Sequence, residues 1–309
     1  MTKVVVSEFL PQAHLDRLRQ SFAVVYDPDL YGNRQRLLRE VSDAAAIFIR
    51  NRTRIDRDLL DTASDLRVVG RLGVGLDNID LDGCVAAGVT VIPAVGANAV
   101  SVAEYVIGAM LILVRGVYHM TPSMVAGEWP RQGHAFGHEV LGKTLGLIGL
   151  GSIARHVAMR AAGLGMDIVA SDPFIPGDDA AWGPVGRVDL ETLLSTSDVV
   201  SVHVPLGDGT RNLIDAAALA LMKPSAVLVN TSRGGIVDEA ALAAALRDGS
   251  IAGAALDVFS TEPLGPEPAA TFADAPNLLL TPHLAGNTEE AVDRVGTVVV
   301  DAVVDALGD

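Results

Sequence analysis

Arg233, Glu262 and His283 carry complementary chemistry, and each follows a run of apolar, strand-forming residues. Arg233 comes after 226–230 in NTSRGGIVDE, Glu262 after a run ending near Leu256 in LDVFSTEP, and His283 after 278–281 in TPHLAG. A guanidinium fork can hold a carboxylate through two parallel charge-assisted hydrogen bonds. An imidazole can pass a proton to or from a hydroxyl near neutral pH. A carboxylate bonded to that ring orients it and favours its charged form. Each residue also has a plainer reading: an ion-paired arginine, a structurally satisfied histidine, a turn carboxylate beside Pro263. In an open parallel sheet, ligands gather beyond the carboxyl ends of the strands, and that shared placement joins the three.

A second motif suggests what they would work with. GKTLGLIGLGSIA (142–154) places Gly149, Gly151 and Ala154 in G-x-G-x-x-A spacing between a strand over 144–148 and a helix over 153–164. Gly149 permits the tight turn, Gly151 lets backbone approach a pyrophosphate, and Ala154 allows close packing of helix on strand. The unpaired N–H groups at the helix start would then meet the pyrophosphate charge. Alone, the pattern could be an ordinary tight turn. Asp172, 23 residues beyond Gly149, ends the next strand, where an acid can bond ribose hydroxyls. Pro173 and Phe174 follow it, with no Arg or Lys to neutralise a 2′-phosphate, which favours NAD over NADP. With a nicotinamide, the Arg–Glu–His set would interconvert a 2-hydroxy acid and a 2-oxo acid.

Strands alternating with helices would position these groups. A first set reads as strands over 3–7, 23–26, 45–49, 68–70 and 89–92, with helices over 11–21, 32–41, 56–63 and 81–87. A second reads as strands over 144–148, 167–171, 199–204, 226–230, 251–256 and 278–281, with helices over 153–164, 189–195, 216–222 and 239–247. Asp238 suits the N-cap of the last helix. Two longer helices stand apart, one over 101–120 and one over 288–307, the latter with Asn287 and Glu290 as a capping-box variant. The strands are nearly all apolar, as expected for parallel sheets covered on both faces. The expectation is two doubly wound α/β domains: 1–97 with the returning 286–309 helix, and 98–285, with a ligand cleft between them.

Composition narrows the partners. Of 309 residues half are hydrophobic, enough for a substantial core and against intrinsic disorder. Lys plus Arg number 23 against 38 Asp plus Glu, a formal charge of −15, unlike a nucleic-acid-binding surface. Anionic ligands would therefore depend on local arginines and N–H groups. Cys84 is the one cysteine, and residues 1–6 lack the apolar core of a signal peptide. The longest apolar stretch, 105–114, is too short to span a bilayer. The expected compartment is a reducing cytoplasm, with neither a membrane nor a nucleic acid as partner.

VGRLGVGLDNID (69–80), NAVSVAEYVIG (98–108), GKTLGLIGLGSIA, NTSRGGIVDE, LDVFSTEP and TPHLAG together resemble the D-isomer-specific 2-hydroxyacid dehydrogenase family, near its phosphoglycerate dehydrogenases. The resemblance implies a Rossmann NAD-binding domain and a smaller, flavodoxin-like substrate domain. It implies that Arg233, Glu262 and His283 are catalytic, with His283 the proton donor in reduction. It places Ser152 and Ile153 over the pyrophosphate, His203 and Pro205 beside the cofactor, and Thr231 and Asp257 near its nicotinamide half. Formate dehydrogenases of the same superfamily pair the histidine with Gln, so Glu262 points to hydroxy-acid chemistry. The family's large members carry a C-terminal regulatory domain, which is not expected after the 288–307 helix. A homodimer is implied, formed through the 101–120 helix and the stretch after it.

The substrate reading rests on the first domain. Arg50, Arg52 and Arg54 follow the 45–49 strand, with Arg50 nearest the expected cleft. By resemblance, the N–H groups of Val74 and Gly75 grip the substrate carboxylate together with Arg233. An arginine cluster in an acidic chain points to a second anionic group on the substrate. RNRTR (50–54), GRLGVGLDNID (70–80) and GEWPRQ (127–132) resemble bacterial sulfolactate dehydrogenases, so the expected substrate is of sulfolactate or 3-phosphoglycerate type. His119, His134 and His138 show no metal-ligand spacing and read as surface or oligomer contacts. Two other readings stand beside the enzyme. One is a dinucleotide-sensing corepressor on the same fold; the other is a Rossmann methyltransferase, which would not need the Arg–Glu–His set.

Overall fold

Short runs of Val, Ile, Leu and Ala form the strands of two all-parallel sheets in the computed structural model, which describes residues 1–131 and 137–308. The chain divides into one unit of residues 1–98 with 287–309 and another of residues 99–286. In chain order the first unit contributes β1 (Lys3–Val6), α1 (Gln12–Arg19), β2 (Ala23–Tyr26), α2 (Arg34–Val41), β3 (Ala46–Ile49), α3 (Arg57–Thr62), β4 (Val68–Arg71), α4 (Leu81–Ala86) and β5 (Thr90–Pro93). Its sheet runs β2-β1-β3-β4-β5, the flavodoxin-like order.

The second unit opens with α5 (Ala99–Arg115) and α6 (Thr121–Val125). It continues β6 (Thr144–Ile148), α7 (Ser152–Gly163), β7 (Asp167–Ser171), β8 (Gly186–Arg187), α8 (Leu190–Thr196), β9 (Val199–Val202), α9 (Ala216–Leu221), β10 (Val227–Asn230), α10 (Glu239–Arg247), β11 (Gly253–Leu256), α11 (Pro266–Ala270) and β12 (Leu278–Leu280). The sheet runs β12-β11-β10-β9-β6-β7-β8, so strand order reverses at β6 and β9, a Rossmann arrangement. Finally α12 (Glu289–Gly308) returns to the first unit.

Both faces of each sheet are covered. In the second unit Val106, Met110 and Leu113 of α5 join Val157 and Ala161 of α7 over Leu145, Leu147, Val227 and Val229. Leu193, Leu219, Leu242 and Leu246 cover Val200, Val202 and Leu228 on the other face. In the first unit Leu15, Leu18, Val299, Val300 and Val303 pack on Val4, Val6 and Phe48. Burying each such side chain contributes about 1.5–3 kcal/mol, and strands covered on both sides must be apolar throughout.

Several expected elements end elsewhere. The 101–120 helix stops at Arg115, because Gly116 turns into the left-handed region at φ +63 and the chain bends 76° into the following helical turns. No single described helix is long and apolar enough to cross a membrane, and the apolar side of α5 lies on the sheet. The cap of α12 is Thr288 and not Asn287. Thr288 Oγ1 accepts the Ala291 N–H at 3.1 Å, while the Asn287 side chain accepts from Arg50. Asp238 caps α10 as expected, accepting the Ala241 N–H at 3.0 Å. The short β8 and α11 offer too few residues for a periodic signal.

Candidate active site

The turn after β6 is shaped by its neighbours. Gly149 adopts φ +87, and a Cβ there would lie 2.8 Å from the His203 carbonyl oxygen at the end of β9. That contact marks the strand pair where the order reverses, the usual place for a ligand crevice. Gly151 is the N-cap of α7 without a side-chain cap, and a Cβ on it would meet nothing within 4 Å. The N–H groups of Ser152 and Ile153 thus begin the helix with no partner inside it. Asp172 reaches back from β7 to accept the Leu150 N–H at 2.9 Å, and its other oxygen accepts from Phe174. Thr231 adds a buried hydroxyl with no hydrogen-bond partner among the described residues. Open N–H donors, a nearby carboxylate and an orphaned hydroxyl together fit a dinucleotide.

His203 sits against this turn, with Nε2 2.9 Å from the Ser201 hydroxyl. Burial pushes its pKa down to about 4, so the ring is neutral at pH 7. Pro205 follows on an exposed part of the same loop.

Arg233, Glu262 and His283 occupy the ends of three adjacent strands, β10, β11 and β12. The Asn230 side chain closes the first loop, accepting from Ser232 N–H and donating to the Arg233 carbonyl, both at 3.0 Å. Ser232 Oγ donates to Val202 O at 2.6 Å and ties that loop to β9. Gly234 then touches the next loop through backbone alone: a Cβ there would lie 1.9 Å from the Phe259 carbonyl. Across this contact Phe259 donates its N–H to Glu262 Oε1 at 3.0 Å.

The second Glu262 oxygen lies 2.8 Å from His283 Nδ1. Burial alone would raise the Glu262 pKa, but the His283 and Phe259 hydrogen bonds and the Arg233 charge hold it below its ordinary value. An ionised Glu262 can only accept, so Nδ1 must carry the proton. The Nε2 of a neutral His283 is then left as the acceptor, and in the charged ring it is the donor.

Asp257 holds the histidine loop. Its Oδ1 accepts from Thr281 Oγ1 at 2.6 Å and Leu284 N–H at 2.8 Å, and its Oδ2 accepts from Ala285 N–H at 2.8 Å. Its carbonyl takes the His283 N–H at 2.8 Å. Tyr105 of α5 extends the chain, 2.6 Å from Thr281 Oγ1. Thr281 gives its one proton to Asp257, so Tyr105 must be the donor to Thr281. Burial raises the tyrosine pKa and keeps it a donor. Sequence alone does not single out Tyr105, which is one apolar-face residue among many; only its register opposite Thr281 reveals it.

The first unit carries the remaining candidates. Arg50 donates to Asn287 Oδ1 at 3.4 Å. Arg52 stacks over Tyr31 with its guanidinium 5.0 Å from the ring centroid and bonds the Tyr31 hydroxyl. Val74 and Gly75 lie in the loop after β4, where Arg71 Nε donates to the Gly75 carbonyl at 2.8 Å. The N–H groups of Val74 and Gly75 take no part in the backbone–backbone hydrogen bonds of this loop. His134 lies outside the described residues; His119 and His138 are exposed.

Residues 107–285 match the family described as D-isomer specific 2-hydroxyacid dehydrogenase, NAD binding domain. The chain is 52% identical over 309 residues to the (S)-sulfolactate dehydrogenase of Chromohalobacter salexigens, covering 100% of this chain and 99% of that one. It is 39% identical over 304 residues to the D-3-phosphoglycerate dehydrogenase of Methanocaldococcus jannaschii, covering 98% of this chain and 57% of the longer relative. Among solved structures, the TT0316 protein from Thermus thermophilus superposes with a TM-score of 0.90 at 33% identity, covering 99% of this chain and 97% of the other. These dehydrogenase relatives leave the corepressor reading without support. Sequence, sheet order and the glycine turn agree: the chain belongs to the D-isomer specific 2-hydroxyacid dehydrogenases, as an NAD-dependent oxidoreductase that interconverts a 2-hydroxy acid and its 2-oxo acid.

Proposed function

We propose that the substrate is a small dianionic 2-hydroxy acid of sulfolactate or 3-phosphoglycerate type, and that Arg233, Glu262 and His283 are the catalytic residues. The observation that carries the chemistry is the 2.8 Å contact of His283 Nδ1 with Glu262 beside the Arg233 loop. The arginine run at 50–54 and the likeness to a sulfolactate dehydrogenase support the second anion. In this reading residues 98–285 bind the cofactor, and residues 1–97 with 286–309 supply the substrate domain.

Gly149, Gly151, Ser152 and Ile153 would hold the pyrophosphate and Asp172 the ribose hydroxyls. His203, Pro205, Thr231 and Asp257 would flank the rest of the dinucleotide. When bound, NAD supplies a hydride acceptor in one direction and a donor in the other. Arg233 and the N–H groups of Val74 and Gly75 take the substrate carboxylate, and Arg50 the second anionic group. In oxidation, Nε2 of neutral His283 accepts the hydroxyl proton while Glu262 steadies the charged ring; in reduction the proton returns from Nε2. Fixed donors aimed at the substrate oxygens lower the barrier because they need no reorganisation.

The enzyme is assigned to a reducing cytoplasm, which suits a free, buried Cys84, and to a homodimer. Tyr118, Val125 and Trp129, all exposed apolar residues after α5, support an interface there. A charge of −15 gives no support to a nucleic-acid partner.

The test is NADH oxidation followed by absorbance with sulfopyruvate, 3-phosphohydroxypyruvate and pyruvate. One dianion should exceed pyruvate in kcat/KM by at least about tenfold, and Arg50→Ala should remove most of that preference. Equal rates on all three overturn the dianionic reading while leaving the dehydrogenase class in place. An unchanged preference in Arg50→Ala removes Arg50 from the site.

A further inference from the structure

Glu8 has no role in the chemistry above, yet it is a carboxylate with 4% of its surface exposed. It lies just past β1, whose neighbour β3 runs directly into the arginine loop. Its Oε1 accepts the backbone N–H groups of Arg50 at 2.7 Å and Thr53 at 2.9 Å, and its Oε2 accepts that of Arg52 at 3.2 Å. Ser7 donates its hydroxyl to Phe48 O at 3.1 Å and lies 2.9 Å from Thr53 Oγ1. From the carbonyl side Asn78 Nδ2 donates to Arg50 O at 2.9 Å and Thr53 O at 2.6 Å. One carboxylate and one amide thus clamp the two polar edges of residues 50–53.

A negative charge beneath a cationic loop opposes anion binding. Burying it is also unfavourable unless charge-assisted hydrogen bonds satisfy it. The bonds described for Glu8 all go to this loop's backbone, so what it contributes is the loop's conformation. Arg50 is the first residue so held: its clamped backbone fixes the point from which the side chain reaches, and its guanidinium donates to Asn287 Oδ1 at 3.4 Å.

We propose that Glu8 is a positioning residue: by clamping residues 50–53 it sets where the Arg50 guanidinium stands, and so sets the preference for substrates bearing a second sulfonate or phosphate group. This rests on the reading that Arg50 takes that second group. Glu8→Gln keeps the shape of the side chain but turns one acceptor into a donor facing N–H groups, leaving at least one of them unpaired.

Two measurements on the full-length enzyme test it. The first is hydrogen exchange at the Arg50, Arg52 and Thr53 amides, which should quicken on the order of tenfold in Glu8→Gln. The second is the ratio of kcat/KM for sulfopyruvate, and separately 3-phosphohydroxypyruvate, to that for pyruvate. That ratio should fall about tenfold for whichever dianion is preferred, through KM and not kcat. Should Glu8→Gln not fold, Thr53→Val deletes the Ser7 hydroxyl contact from the same loop and should move both readouts the same way by less.

Unchanged exchange overturns the clamp, and faster exchange with an unchanged ratio overturns the specificity role. If the wild type does not distinguish dianions from pyruvate, the dianionic reading itself falls and takes this role with it. If the wild type prefers a dianion and Arg50→Ala loses that preference while Glu8→Gln keeps it, only the assignment of Glu8 fails.

Discussion

At His283 the backbone and the ring make separate demands. The residue sits in the left-handed region at φ +57, a conformation held here by Asp257 and its bonds across 281–285. The ring then meets Glu262 through Nδ1, and the proposed mechanism assigns Nε2 to the substrate. His283→Ala should lower kcat by about 10²–10⁴, the usual contribution of a positioned acid–base group, read in steady-state assays at saturating substrate. Near-normal turnover would remove His283 from the mechanism. His203 makes a different prediction. Its folded pKa of about 4 lies below the ordinary 6.5, so the unfolded chain binds the extra proton between those values. Stability should therefore fall as pH drops from 7 to 5, by about 2 kcal/mol from this residue alone. Glu262, held below its ordinary value, adds loss in the same direction only at lower pH, as it protonates. Urea unfolding at the two pH values checks this, and His203→Asn should flatten the difference.

The elements deliver these residues because their loops touch. The β10 and β11 loops meet at Gly234 with no room for a side chain, since a Cβ would lie 1.9 Å from Phe259. Gly234→Ala must part the Arg233 loop from the Glu262 loop. A displacement of about 1 Å at a catalytic group lowers kcat/KM by roughly 10²-fold, and that loss should appear with the secondary structure retained. Activity close to wild type would show that the loops can separate harmlessly. Much of this scaffold is legible in the sequence: strands 23–26, 144–148 and 167–171 and the helix 239–247 lie where apolar runs and caps place them. The longest misplacement, 101–120 against Ala99–Arg115, has a plain cause. Apolar spacing continues through Val117 and Met120, while the backbone has already turned at Gly116.

At the scale of the whole molecule, a chain of charge −15 would, in the proposed site, handle anionic ligands through local groups: helix N–H donors at Ser152 and Ile153, and guanidinium groups on loops. Exposed apolar surface after α5 is the other large-scale feature, with Trp129 74% and Val125 84% exposed. In the proposed homodimer that surface is covered. Sedimentation should give twice the 32.1 kDa chain mass, and Trp129→Glu should shift the equilibrium toward single chains. A wild-type protein sedimenting as one chain at micromolar concentration would overturn the dimer.

Two α/β units, the glycine turn and the placement of Arg233, Glu262 and His283 in loops that follow strands were all determined by local order along the chain. Apolar period, small residues at a tight turn and polar residues just past strands are properties of neighbours in sequence. The pairing of Glu262 with His283, the Tyr105–Thr281–Asp257 chain and the Glu8 clamp on residues 50–53 join groups 21 to 176 residues apart. Such contacts are set by strand order and register, because a carboxylate has no intrinsic preference for one distant N–H or imidazole over another until the sheet brings one of them within 3 Å.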